Sequence, residues 1–280
     1  MTRTSAEKTG FWDRAATWKA LLLVVVYLVF YLAVGRLIGM VFDSEIDGDN
    51  VVGSAASIFF ALVLPIAIGA VALLLFAIKV GWLRAIFGPQ PIGGRRWMWI
   101  APLLVLAAIV AHVAGTDWDA WNGQEIVALA FLGLCVGLAE ELATRGLTVK
   151  ILRDAGHSER YVAVVSSLMF ALMHTVNLIA GMSLRTVLAT VVYTFAFGMC
   201  MYLTMRVTGT IWAAIVLHGL TDPTTILTTG GLDEAVVSQG GGATVAAALV
   251  TVVLIAFGFL AIFLVRGKVG DPEATRATTA

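Results

Sequence analysis

The sequence predicts an all-α fold: a polytopic bundle of about eight membrane-spanning helices with both termini in the cytoplasm. Three observations predict it. Charged residues make up 13% of the 280 positions and hydrophobic ones 60%, with a mean hydropathy of +0.94. A soluble domain carries roughly 25% charge, so this chain has about half of what wets a globular surface. Eight apolar stretches reach the length of about 20 residues needed to cross a hydrocarbon core of about 30 Å. Finally, Lys and Arg concentrate in alternate connecting segments. The bilayer is therefore the first partner. With 18 basic and 18 acidic residues there is no basic excess to neutralise phosphates, so the composition argues against a nucleic-acid partner.

The stretches run over 19–42, 54–78, 97–114, 125–149, 161–180, 184–205, 210–229 and 243–265. The first, from Lys19, is too long for a signal peptide and lacks a small-residue cleavage pattern, so it reads as a retained helix. The sixth is Thr-rich and contains Gly, and could equally pack inside the bundle. Residues 1–18 and 266–280 are left as cytoplasmic tails around one transmembrane domain, 19–265, whose motif-bearing core is 125–229. With the N-terminus inside, every Lys and Arg except Arg36, Arg145 and Arg185 falls in or beside an inner segment, whereas the outer loops hold Asp43, Glu45, Asp47, Asp49, Asp117, Asp119, Asp233 and Glu234. All eight Trp lie at span ends or in flanking loops, as an interfacial belt requires. Cys135 and Cys200 fall inside spans, where a thiol acts as a small apolar side chain, and no disulfide framework is expected. The run Gly240–Gly242 reads as a flexible outer turn.

A charge at the bilayer centre costs at least about 2.5–3.5 kcal/mol, so each intramembrane ionisable residue is a functional candidate. Few occur. The fourth stretch carries Glu140, Glu141 and Arg145, the fifth His174, and the seventh His218 and Asp222. Arg36 and His112 lie near outer span ends, where both can reach water. At about 1.5 Å per residue from the nearest inner basic residue, Glu140 lies about 15 Å deep, His218 about 18 Å and His174 about 21 Å. The three can share one layer. Glu141 and Arg145, four apart, can pair and so reduce the cost of burying both. Glu140 points about 100° away and is free for another partner. Phe170 and His174 share a helix face, with Asn177 one turn on as a helix–helix hydrogen-bonder. His218 and Asp222 share a face, so that the carboxylate can orient the imidazole or both can meet one ligand. Pro223, which lacks an N–H, should bend or open the helix beside them.

At these positions the chain resembles the CAAX protease and bacteriocin-processing (CPBP, or Abi) intramembrane endopeptidases, which include the type II CAAX prenyl endopeptidases. The pattern EExxxR is matched by Glu140-Glu141-Leu-Ala-Thr-Arg145, FxxxH by Phe170-Ala-Leu-Met-His174, and HxxxN/D by His218-Gly-Leu-Thr-Asp222. The resemblance covers roughly residues 125–229. It implies an intramembrane endopeptidase of a bacterial plasma membrane, with its site open to the cytoplasm and a peptide or protein segment as substrate. Glu140 and His174 would activate water, and His218 with residue 222 would stabilise the oxyanion. The chain departs from the family at 222, where better-studied members carry Asn. An ionised Asp cannot donate to an oxyanion, so Asp222 must be protonated, orient His218 or bind a metal.

No cofactor is required on this reading. The alternative is a zinc-dependent version of the protease, in which Glu140, His174, His218 and Asp222 supply two imidazoles and two carboxylates. HExxH is absent, as is the Gly-x-Gly-Asp of aspartyl intramembrane proteases, and Gly181-Met-Ser183 sits in an outer loop about 20 Å from the histidine layer. Two further classes stay open. One is a transporter that relays protons or binds an ion at Glu140 and the histidines. The other is a non-catalytic immunity or scaffold protein, which would keep its activity when Glu140 is replaced by Ala.

Overall fold

A computed structural model describes residues 10–179, 181–231 and 242–270. They form eight long helices in the order the hydropathy predicts: α1 (Thr17–Val41), α2 (Ala55–Lys79), α3 (Ile100–Gly115), α4 (Gly123–Asp154), α5 (Glu159–Met173), α6 (Leu184–Thr208), α7 (Ile211–Thr229) and α8 (Gly242–Leu264). Asp233, Glu234, the start of the glycine run and the outermost parts of both tails lie outside the described residues.

Counting the 3₁₀ stretches that extend α3 back to Arg96 and α5 on to Leu178, seven helices among the described residues are long and apolar enough to cross a membrane, and α7 is the one of the eight that does not qualify. It has the length, but His218, Asp222 and a run of threonines dilute its apolar content. The sixth stretch, the one with the most doubtful hydropathy, is instead the centre of the bundle. The most apolar window of α6 is 61% buried, against 22% for α1 and α8. Its threonines are accommodated because Thr194 and Thr204 donate to the carbonyls four residues back. The lipid-facing sides of α1, α3 and α8 carry exposed Val29, Leu103, Val252 and Phe263, which fits an integral membrane protein.

Two helices contain π segments, and each has a local cause. In α2 the segment Phe59–Val63 precedes Pro65, whose ring and missing N–H disturb the turn reaching back to Ala61. In α4 the segment Leu142–Thr148 follows the two glutamates directly. Here the Thr144 hydroxyl donates to the Glu140 carbonyl at 2.6 Å, competing with the main chain for that acceptor.

Helix α4 packs along α7 through glycine. A Cβ at Gly137 would lie 2.8 Å from Gly219 N, and one at Gly219 would lie 2.7 Å from Gly133 O. Gly133 and Gly137 thus form a small-xxx-small seam that brings the two backbones together. The helix continues through Pro223 rather than opening there. The proline ring and the Gly219 carbonyl, whose usual donor would be residue 223, both face the space left by Gly133.

At the end of the bundle carrying the α4–α5 and α6–α7 turns, Glu159 is fully buried between Arg153 (2.8 and 2.9 Å) and Arg206 (2.8 Å), and the Tyr202 hydroxyl donates to the same carboxylate. Arg153 also donates to Gln90 Oε1 (2.7 Å) and Arg206 to the Gly93 carbonyl (2.6 Å). Residues read from sequence as topology markers are therefore also a buried lock on the segment before α3.

Candidate active site

Glu140 and Glu141 reach the site from the last α-helical turn of α4 before its π segment. Glu141 is fully buried and its Oε1 forms an ion pair with Arg145 Nη1 at 3.0 Å, the pairing expected from their spacing. The same Oε1 accepts from His218 Nδ1 at 2.8 Å. Arg145 Nη1 also donates to Thr144 Oγ1 (2.5 Å), and the guanidinium carbon lies 4.5 Å from the Phe170 ring centre. A charge-assisted relay, Arg145–Glu141–His218, thus runs from α4 to α7. Orienting His218 is one of the roles the sequence leaves open for Asp222. Among the described residues Asp222 makes no hydrogen bond to His218, and Glu141 holds the ring instead.

Glu140 is the more accessible carboxylate, with its side chain 19% exposed, and its Oε2 lies 3.6 Å from His218 Nε2. That distance exceeds a direct hydrogen bond, so the contact between the two is electrostatic. The two glutamates therefore face opposite nitrogens of one imidazole. Because Glu141 takes the Nδ1 proton, Nε2 is the atom of His218 turned to the accessible side.

Helix α5 ends at Met173, so His174 opens a 3₁₀ stretch, His174–Leu178, where the sequence predicted continuous helix to 180. His174 Nδ1 donates to the Phe170 carbonyl at 3.1 Å, which leaves Nε2 as an acceptor. Phe170 fixes both histidines: its ring stands edge-on to His174 (5.0 Å) and to His218 (5.5 Å). Phe197 of α6 adds a third aromatic contact, 5.0 Å from His218, that no motif announced. His174 and Asp222 are both partly accessible, and Asp222 stands within electrostatic reach of His174, His218 and Glu140.

Phe170 lies against both His174 and His218, and the carboxylate beside His218 Nε2 is that of Glu140. Asn177 differs from expectation. It sits in the 3₁₀ stretch, where its carbonyl accepts from Met182 N (3.1 Å) and its side chain makes no hydrogen bond among the described residues. His112 differs too, for it is buried against α7 with Nδ1 3.3 Å from Thr225 Oγ1, rather than reaching out to water. Ser183 of the Gly-x-Ser is the N-cap of α6, accepting from Thr186 N at 3.1 Å. Both cysteines are free and buried.

Among the described residues no group of three or more His, Cys, Asp or Glu is placed to hold an ion, and both nitrogens of His218 already face carboxylates.

A polytopic helical membrane protein with two glutamates, two histidines and an aspartate gathered inside its bundle is the class that fold and site define. More narrowly, residues 122–224 match the family model described as Type II CAAX prenyl endopeptidase Rce1-like, the family that the three motifs resemble, and this points to a protease. No curated protein and no solved structure matches the chain.

Proposed function

We propose that the chain is an intramembrane endopeptidase hydrolysing a peptide bond of a peptide or membrane-associated protein. The observation that carries this reading is the relay from Arg145 through Glu141 to His218, ending beside the accessible carboxylate of Glu140. Glu140 and His174, each with a free acceptor on the accessible side, take the proton of an attacking water. His218, held by Glu141, presents Nε2–H to the oxyanion when protonated. Asp222, within electrostatic reach of His218, completes the oxyanion side of the site. The fixed Nδ1 contact pre-organises this donor, so little reorganisation is needed during reaction. In the bacterial plasma membrane the site opens toward the cytoplasm, the side rich in Lys and Arg, and substrate arrives from the bilayer or that face.

The test is the purified protein with a library of prenylated and unprenylated peptides, with and without chelator, beside Glu140→Gln and His174→Ala. Chelator-resistant cleavage that both substitutions abolish is expected. Chelator-sensitive cleavage would move the reading to the zinc-dependent version. Undiminished cleavage by both variants would overturn it in favour of catalysis elsewhere, and retained biological activity without cleavage would favour a non-catalytic membrane partner.

A further inference from the structure

Tyr27 lies on α1, outside the segment that matches the family model. Its side chain is buried, with 5% of the residue exposed, and among the described residues its hydroxyl has no hydrogen-bond partner. The other buried side-chain atoms in that condition belong to Glu141, Arg145, Thr148 and Ser167. Tyr27 is the one that comes from α1.

Its surroundings show where the hydroxyl points. A Cβ on Gly69 of α2 would lie 3.0 Å from the Tyr27 oxygen. Tyr27 belongs to the packed cluster that contains Leu142 and Ala143, which directly follow Glu141. Its hydroxyl therefore ends against α2, beside the part of α4 that carries the glutamates. Tyr31, one turn on, stacks on Tyr27 with ring centres 6.5 Å apart, and both tyrosines are within electrostatic reach of Glu140.

A buried hydroxyl without a partner is costly, and phenylalanine would fill the same space without that cost. A tyrosine kept purely for packing is the poorer choice here, and such local inconsistencies gather at functional sites. We infer that Tyr27 is a positioning residue for Glu140, its hydroxyl holding, through one water, the carboxylate oxygen that faces the site. This rests on the endopeptidase reading and adds to it a contribution from α1. Glu140 is then held from two sides, by Tyr27 and by His218, which fixes its direction toward the attacking water.

The substitution that tests this is Tyr27→Phe, measured with the quenched-fluorescent peptide that the wild type cleaves best in the library. A structural tyrosine with an unpaired hydroxyl predicts unchanged activity and equal or higher thermal stability. The positioning role predicts equal or higher stability together with a fall in kcat of about tenfold or more, KM nearly unchanged. Gly69→Ala, which presses on the Tyr27 oxygen, should lower kcat in the same way, with little further loss in the Tyr27→Phe background. Wild-type kcat in Tyr27→Phe beside an inactive Glu140→Gln overturns the inference and leaves the endopeptidase reading standing. A loss confined to KM, or one that follows a lowered melting temperature, also overturns it. Cleavage by Glu140→Gln, or none by the wild type, overturns the reading on which it rests.

Discussion

His218 Nδ1 and Glu141 Oε1 lie 2.8 Å apart, although 77 residues separate them in sequence. The contact joins two motifs that periodicity treats as independent. It also makes Glu141 common to a structural ion pair and a reactive imidazole, so the two roles should fail together.

Replacing Glu141 by Ala is therefore expected to lower stability by about 3–5 kcal/mol, the cost of leaving a buried charge unpaired. Arg145→Ala should cost a similar amount, and the double variant much less than the sum. Thermal unfolding in detergent checks both, and additive losses would show that the pair is not coupled.

Glu140 should behave in the opposite way. Its side chain is 19% exposed and its nearest charged partner is 3.6 Å away. Glu140→Gln should change stability by no more than about 0.5 kcal/mol, as for changes outside packed or paired positions, while abolishing cleavage. A melting curve beside a cleavage assay separates the two effects.

The seam between α4 and α7 predicts a sharp contrast among glycines. Gly137→Ala places a Cβ 2.8 Å from Gly219 N and should cost about 1–3 kcal/mol through overpacking, with activity falling as the two motifs separate. Gly39→Ala, with nothing within 4 Å, should be neutral or stabilising by up to about 1 kcal/mol from helix propensity. Equal effects at the two positions would refute a close backbone contact.

Buried and exposed ion pairs should also differ. Glu159→Ala removes a carboxylate held by Arg153 and Arg206 and is expected to cost about 3–5 kcal/mol. Asp154→Ala breaks the exposed pair with Lys150 and should cost less than about 1 kcal/mol. Unfolding at low and high salt distinguishes them, because only the exposed pair is screened.

Much of this was legible in the sequence because hydropathy reports on each helix alone. The order and approximate extent of the helices and the Glu141–Arg145 pairing follow from length and spacing. Contacts between helices do not. Nothing in the spacing of α4 says that Glu140 and Glu141 bracket one ring of α7, and a helical wheel drawn through Leu142–Thr148 assumes a turn that the chain does not make there. The end of α5 at Met173 was hidden because the apolar run continues through the 3₁₀ stretch. Burial of His112 depended on the threonines of α7 lining up beside it. One signal was available: Gly133-x-x-x-Gly137, just ahead of the glutamates, marks a close helix contact.

That seam bears on how such a site could be moved to another protein. Gly133 receives the Gly219 carbonyl and the Pro223 ring, so the backbone of α7 is irregular in a place that only a missing side chain on α4 makes possible. Grafting the glutamates, histidines and aspartate onto a regular helix pair would reproduce the chemical groups at the wrong separation. The smallest transplantable unit includes three glycines and a proline that carry no reactive group, and a sequence search that ignored them would return bundles with the right letters and the wrong spacing.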